Sequence, residues 1–212
     1  MTPAQAKWKR CFDGVAAFFG LLIFSWLILL AWLAARLSSG ASGFFTQQRV
    51  GRNGRLFLIV KLRTMCPSRP GATTTTASSD PRITKTGAWL RRLKLDELPQ
   101  LWNVLVGDMS LVGPRPDVPG FADCLQGEAR DLLQLRPGIT GPATLAFKQE
   151  EDLLDGVDDP ERYNSEVIYP AKVGLNLSYL RNYSFRLDLL MILATFLPGL
   201  RARIAPPFSA SN

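Results

Sequence analysis

One apolar run dominates the N-terminal forty residues. From Val15 to Ala35, "VAAFFGLLIFSWLILLAWLAA", about 21 residues pass without a charge, and Lys7, Lys9, Arg10 and Arg36 flank them. At about 1.5 Å rise per residue such a helix reaches across a hydrocarbon core of roughly 30 Å. A cleaved signal peptide is the competing reading. The run exceeds the usual apolar core of a signal, however, and Ala-Ala-Arg-Leu is a poor cleavage site, so a retained membrane-inserted helix over residues 1–40 is expected. Gly20 and Ser25 interrupt the run. A serine there either bonds back to the carbonyl four residues earlier or marks a bend that returns the chain to the face it entered.

Beyond the run the period changes. "FFTQQRV" (Phe44–Val50) and "LFLIVKL" (Leu56–Leu62) read as strands joined by the glycines of "GRNGR", a β-hairpin whose second strand leads into Arg63 and Thr64. Cys66 to Asp80, "CPSRPGATTTTASSD", has no apolar period and reads as a loop and candidate lid. Helical spacing resumes at Thr84 through Trp89, Leu90 and Leu93. It continues from Leu95 to Val106 and stops at Gly107. A further helix is expected near Phe121–Gln134. "LDLLMILATF" forms a last apolar helix, ended by Pro198 and Gly199 and better suited to an interface than to a span. The pattern predicts an α+β fold: membrane-inserted helix, small hairpin sheet and several helices, some interfacial and amphipathic. Residues 41–204 would form a membrane-associated body, and residues 205–212 a disordered tail.

Charge and composition narrow the chemistry. The chain of 212 residues carries a net charge of +7, which suits an anionic partner. It has no histidine, which excludes Ser-His-Asp and Cys-His catalysis and His-ligated metals. Three scattered cysteines show neither metal spacing nor a disulfide framework and fit a reducing compartment. Nothing resembles a nucleic-acid recognition element.

Against that basic background, "RRLKLDELPQLWNVLVGDMSLVGPRP" sets Asp96 and Glu97 side by side at a predicted helix start. Acids are common in first turns because they offset the helix dipole. Three neighbours point further. Arg91, Arg92 and Lys94 precede the pair. Arg115 is held between prolines in "GPRP". Arg136 precedes another proline in "LRPGITG". Proline-restricted arginines present their guanidinium forks at low entropic cost and suit phosphate oxygens. Such cations would keep Asp96 ionised. An ionised Asp96 could ligate a hard cation such as Mg²⁺ together with substrate phosphates, or attack phosphorus itself. Glu97 could assist the metal or move a proton. The acids make sense if the cations hold a diphosphate.

These motifs, with "FTQQRVGRNGRLFLIVKLRTM" and "DPRITKTGAWLRRLKLDELPQ", resemble the bacterial sugar transferase family, the monotopic phosphoglycosyl transferases, from about Lys9 to Leu197. The resemblance implies transfer of a sugar-1-phosphate from a UDP-sugar to polyprenol (undecaprenyl) phosphate with Mg²⁺, releasing UMP, as the first membrane step of glycoconjugate or polysaccharide synthesis. It implies that Asp96 attacks the β-phosphate to give a covalent phosphosugar, with Glu97 assisting the metal or the acceptor. By motif position, Lys61, Arg63, Arg91, Arg115 and Arg136 would contact phosphates and lipid head groups. It further implies a bacterial cytoplasmic (inner) membrane location, a cytosolic catalytic domain, anionic lipids as partners and a re-entrant helix bending near Ser25; monomer and homodimer both stay open. Two positions depart from the family pattern. Trp26 follows Ser25 where a proline is usual, removing the strongest cause of a bend. Lys94 stands where a serine or threonine usually caps. A full span would still require translocating Lys7, Lys9 and Arg10, which the positive-inside rule disfavours. The acidic run Glu150–Glu161 reads as a solvated segment or a sugar-selecting loop. The alternative function is a membrane-anchored protein that binds an anion or nucleotide without turnover.

Overall fold

The computed structural model describes residues 1–67, 80–148, 153–154 and 157–204. Most of the expected lid, part of the acidic run and the expected tail lie outside them.

Helix α1 runs unbroken from Pro3 to Ser39. The Thr2 hydroxyl accepts from the Gln5 N–H while Gln5 accepts from the Thr2 N–H, and Gly40 closes the helix with a φ of 67°. Its 37 residues extend about 55 Å. Small and polar residues form the inward stripe: Lys9, Asp13 and Ala17 near one end, Ala31, Ala35 and Ser39 near the other. Between them Gly20 faces Leu101. Phe18, Leu22, Trp26, Leu29 and Leu33 stand exposed on the outward side. Ser25 donates its hydroxyl to the Leu22 carbonyl, three residues back.

The hairpin has the expected bounds. Strands β1 (Phe44–Val50) and β2 (Leu56–Leu62) pair antiparallel from Phe44 opposite Leu62 to Val50 opposite Leu56. The turn needs left-handed backbone at Asn53 (φ 59°) and Gly54 (φ 75°). Buried Asn103 covers the other edge of β2, accepting from the Val60 N–H at 3.0 Å and donating to the Leu58 carbonyl at 2.8 Å. Its side-chain amide stands in for a third strand.

A second sheet was not expected. Strands β3 (Ser110–Val112) and β4 (Gly138–Thr140) pair in parallel, bringing the two arginine–proline motifs together. Their backbones approach so closely that a Cβ on Gly138 would lie 2.1 Å from the Gly113 nitrogen. That approach accounts for the glycines in both motifs.

Helix α2 (Lys85–Arg92) is capped by Thr84, which accepts from the Gly87 N–H. The continuous helix expected from Leu95 resolves into two parts. A 3-10 turn covers Leu95–Glu97, and helix α3 starts only at Gln100, after Pro99. The stretch expected as a helix near Phe121–Gln134 is 3-10 in two pieces, Ala122–Cys124 and Gly127–Gln134. Helix α4 (Pro142–Ala146) is followed by α5 (Pro160–Tyr163), a π-helical turn (Asn164–Ile168) and α6 (Tyr169–Arg181). Helix α6 carries little apolar period, with Pro170 and Gly174 inside it, and went unread in the sequence. Helix α7 (Phe185–Phe196) ends before Pro198, and α8 (Pro198–Ile204) follows at once.

Among the described residues, the core lies in three apolar clusters. Two hold α1 against the hairpin side: Ala17 with Ile59, Val104 and Met109, and Ala31 and Ala35 with Leu62 and Leu90. The third, around Phe147, Ile168, Tyr179 and Met191, unites α4, α6 and α7. A buried polar cluster ties the N-terminal end of α1 to α7. Lys9 donates to Asp188 at 2.6 Å, Tyr179 donates to the other Asp188 oxygen at 2.6 Å, and Asp13 accepts from the Ser110 hydroxyl.

Candidate active site

Asp96 and Glu97 sit in the 3-10 turn, entered through Lys94 at a φ of 58°. That left-handed residue turns the chain out of α2. The pair therefore precedes α3 and does not form its first turn, so the helix dipole is not what places it. Both acids are buried, with 8% and 7% of their surface exposed.

Their surroundings differ. Glu97 Oε1 accepts from Lys61 Nζ at 3.1 Å and from an Arg115 guanidinium nitrogen at 2.9 Å. Burial alone would raise the Glu97 carboxyl, but the Arg115 and Lys61 charges outweigh it and hold Glu97 well below the usual carboxylate range. Asp96 Oδ1 is buried with no hydrogen-bond partner among the described residues. Burial, then the Glu97 charge, raises the Asp96 carboxyl, and Lys61, Lys94 and Arg91 only partly offset them. This corrects the expectation that the surrounding cations depress Asp96: Arg115 and Lys61 bond to its neighbour.

A cleft of about 920 Å³ opens over the pair. Lys61, Arg91, Arg92, Lys94 and Arg115 line it, so three of the expected phosphate contacts, Lys61, Arg91 and Arg115, converge there. Lys61 reaches it from β2, and Arg91 from α2 with its Nε donating to the Thr64 hydroxyl. Arg115 comes from the loop after β3, which β1 clasps: Arg49 donates to the Pro116 carbonyl and the Val50 N–H to that of Asp117. The other two expected cations are outside the cleft lining. Arg63 donates to the Ser42 and Phe44 carbonyls, and Arg136 Nε to the Gly107 carbonyl.

Sequence reasoning missed several other residues of the cleft lining. Arg49 lines the cleft with its guanidinium lowered to about 10 by burial and then by Arg115. Asp117, the residue directly after the GPRP motif, is raised to about 6 by burial, against the pull of Lys172 and a Tyr169 hydrogen bond. Thr144, Asn164 and Asn176 also line the cleft, from α4, the π-helical turn and α6. Asp117 carried a signal in its adjacency to the GPRP motif and Arg49 in its place within FTQQRVGRNGR; Asn164 and Asn176 sit in segments without chemical pattern.

Among the described residues no group of three or more Asp, Glu, Cys or His side chains gathers as a metal cage. The open oxygen of Asp96 nonetheless suits a hard cation that arrives with substrate phosphates, which needs only one or two carboxylates.

Comparison with known proteins gives the chain's relatives. The exopolysaccharide production protein ExoY of Rhizobium meliloti is 35% identical over 209 aligned residues, covering 91% of this chain and 85% of that one. The UDP-glucose:undecaprenyl-phosphate glucose-1-phosphate transferase of Caulobacter vibrioides is 38% identical over 191, covering 88% and 67%. The undecaprenyl-phosphate glucose phosphotransferase of Komagataeibacter xylinus is 39% identical over 195, covering 88% of this chain and 35% of its own length. The profile described as Bacterial sugar transferase matches residues 4–202. The match takes in α1, the hairpin, the acidic pair and both arginine–proline strands, and the chain belongs to the bacterial sugar transferase family.

Proposed function

We propose that this transferase moves a sugar-1-phosphate from a UDP-sugar to polyprenol phosphate, undecaprenyl phosphate being the acceptor named for its relatives, and releases UMP. The observation that carries the reading is the unequal acid pair: Asp96 with an uncommitted oxygen, Glu97 bound to Lys61 and Arg115, both under a cation-lined cleft.

An Asp96 oxygen attacks the donor's β-phosphorus. The new P–O bond forms as the bond to the UMP oxygen breaks, so UMP leaves and an acyl-phosphosugar remains. A polyprenol phosphate oxygen then attacks the same phosphorus and returns the Asp96 carboxylate, giving polyprenol-diphosphosugar. Glu97, held far below the usual range, is a poor base; it fixes Lys61 and Arg115, which face the transferring phosphoryl oxygens. Asp96 and Glu97 would hold Mg²⁺, whose charge would offset that of the diphosphate. Arg91 adds positive charge to the same wall.

Membrane attachment supports access to both substrates. The same body grips both ends of α1, at Lys9 and Asp13 and again at Ala31 and Ala35, while its apolar side faces outward with Trp89, Trp102 and Phe196. This favours a helix that enters and leaves on the cytosolic face of the cytoplasmic membrane.

The test is nucleotide release in nanodiscs with Mg²⁺ and a panel of UDP-sugars. A roughly stoichiometric UMP burst without acceptor, abolished in Asp96→Asn, is expected. UMP only with acceptor would reduce Asp96 to a ligand, UDP release would mean ordinary glycosyl transfer, and no nucleotide release from any donor would favour binding without turnover.

A further inference from the structure

Seven buried side-chain polar atoms lack a hydrogen-bond partner among the described residues, and five of them, on Arg49, Asp96, Thr144, Asn164 and Asn176, line the one cleft. Buried polar atoms are normally satisfied, so this clustering points to partners supplied from within the cleft. The five are not alike. Arg49 and Asp96 are charged and belong with the phosphate-facing wall. Thr144 Oγ1, Asn164 Oδ1 and Asn176 Oδ1 are neutral and come from three separate segments. Asn176 is the deepest, with 6% of its surface exposed.

A phosphate would be poorly matched to amide oxygens, which accept and cannot donate to it. A nonionic polyol fits them, since each hydroxyl both donates and accepts. Phe147 and Tyr169, which line the same cleft, add apolar ring surface. We propose that Thr144, Asn164 and Asn176 form the subsite that holds the ring hydroxyls of the donor sugar and select which sugar is transferred. This rests on the transferase reading above. A site whose buried polar atoms are satisfied only by a substrate hydroxyl penalises a donor lacking it.

The experiment uses the full chain in nanodiscs and donors that each lack one ring hydroxyl, with wild type, Thr144→Val and Asn176→Ala compared by kcat/KM for UMP release. Thr144→Val is nearly isosteric and guards against a folding failure in Asn176→Ala; inhibition by UMP reports the nucleotide half. The expected result is a deoxy donor that costs wild type about tenfold but costs one of the variants little, with UMP inhibition unchanged. Equal deoxy penalties in wild type and both variants would overturn the subsite and leave the transferase intact. A wild-type protein that releases no UMP from any donor would instead remove the transferase reading on which the subsite depends.

Discussion

Adjacent carboxylates at 96 and 97 meet opposite electrostatic fates because only one of them is bonded by Lys61 and Arg115. Glu97 collects two cations, while Asp96 keeps burial and the repulsion of its neighbour. The nucleophile role proposed for Asp96 requires an ionised carboxylate, so the acid limb of kcat/KM is expected above the ordinary aspartate value of 3.8. Lys94 lowers Asp96 through space; Lys94→Asn keeps a residue that tolerates the left-handed backbone and removes the charge, so it should move that limb to higher pH. An unmoved limb in a pH–rate profile would detach Asp96 from it. Asp117 gives a stability prediction. Its folded value of about 6 exceeds the ordinary 3.8, so the fold favours the protonated form. That stabilisation is complete below 3.8 and is lost as pH rises to about 6. Melting temperatures of Asp117→Asn relative to wild type should therefore rise between these pH values and level off above them.

At the scale of elements, the site hangs on two narrow sheets and their edges. The β1–β2 register puts Lys61 over Glu97, and Asn103 holds β2 to α3. Asn103→Ala strips partners from the Val60 N–H and the Leu58 carbonyl, and is expected to cost about 2–4 kcal/mol in denaturant unfolding. A loss under 1 kcal/mol would mean that water replaces the amide at that edge. The β3–β4 pair does for the arginines what the hairpin does for Lys61. Both proline-flanked arginines sit beside it, yet only Arg115 reaches the cleft, while Arg136 bonds the Gly107 carbonyl. Proline rigidity presents a guanidinium; the strand to which its loop belongs decides what it faces.

For the whole molecule, the decisive feature is that one body holds both ends of a 37-residue apolar helix. Cys11 near the start of α1, and Cys66 and Cys124 on the body, are all exposed free thiols. A membrane-impermeant maleimide added to intact spheroplasts is expected to label none of them and to label all three after lysis. Labelling of Cys11 from outside would show that α1 crosses the bilayer.

The apolar run, the hairpin and the Asp-Glu pair were legible because each is encoded locally: length without charge, alternation around a glycine turn, adjacency in a basic stretch. The family resemblance stood on motifs of the same local kind. Helix α6 was not legible because it is held by tertiary packing of Tyr179, with almost no amphipathic period of its own. Nor could the chain show that Arg63 and Arg136 bond backbone carbonyls, since equal charges in equal motifs differ only in what surrounds them once folded. The sequence by itself determined the long apolar helix, the hairpin and the residue types available for phosphoryl chemistry. Tertiary structure decided which acid is charged most easily, which cations share the cleft and which neutral residues line it, because burial and distance between remote segments exist only in the folded chain.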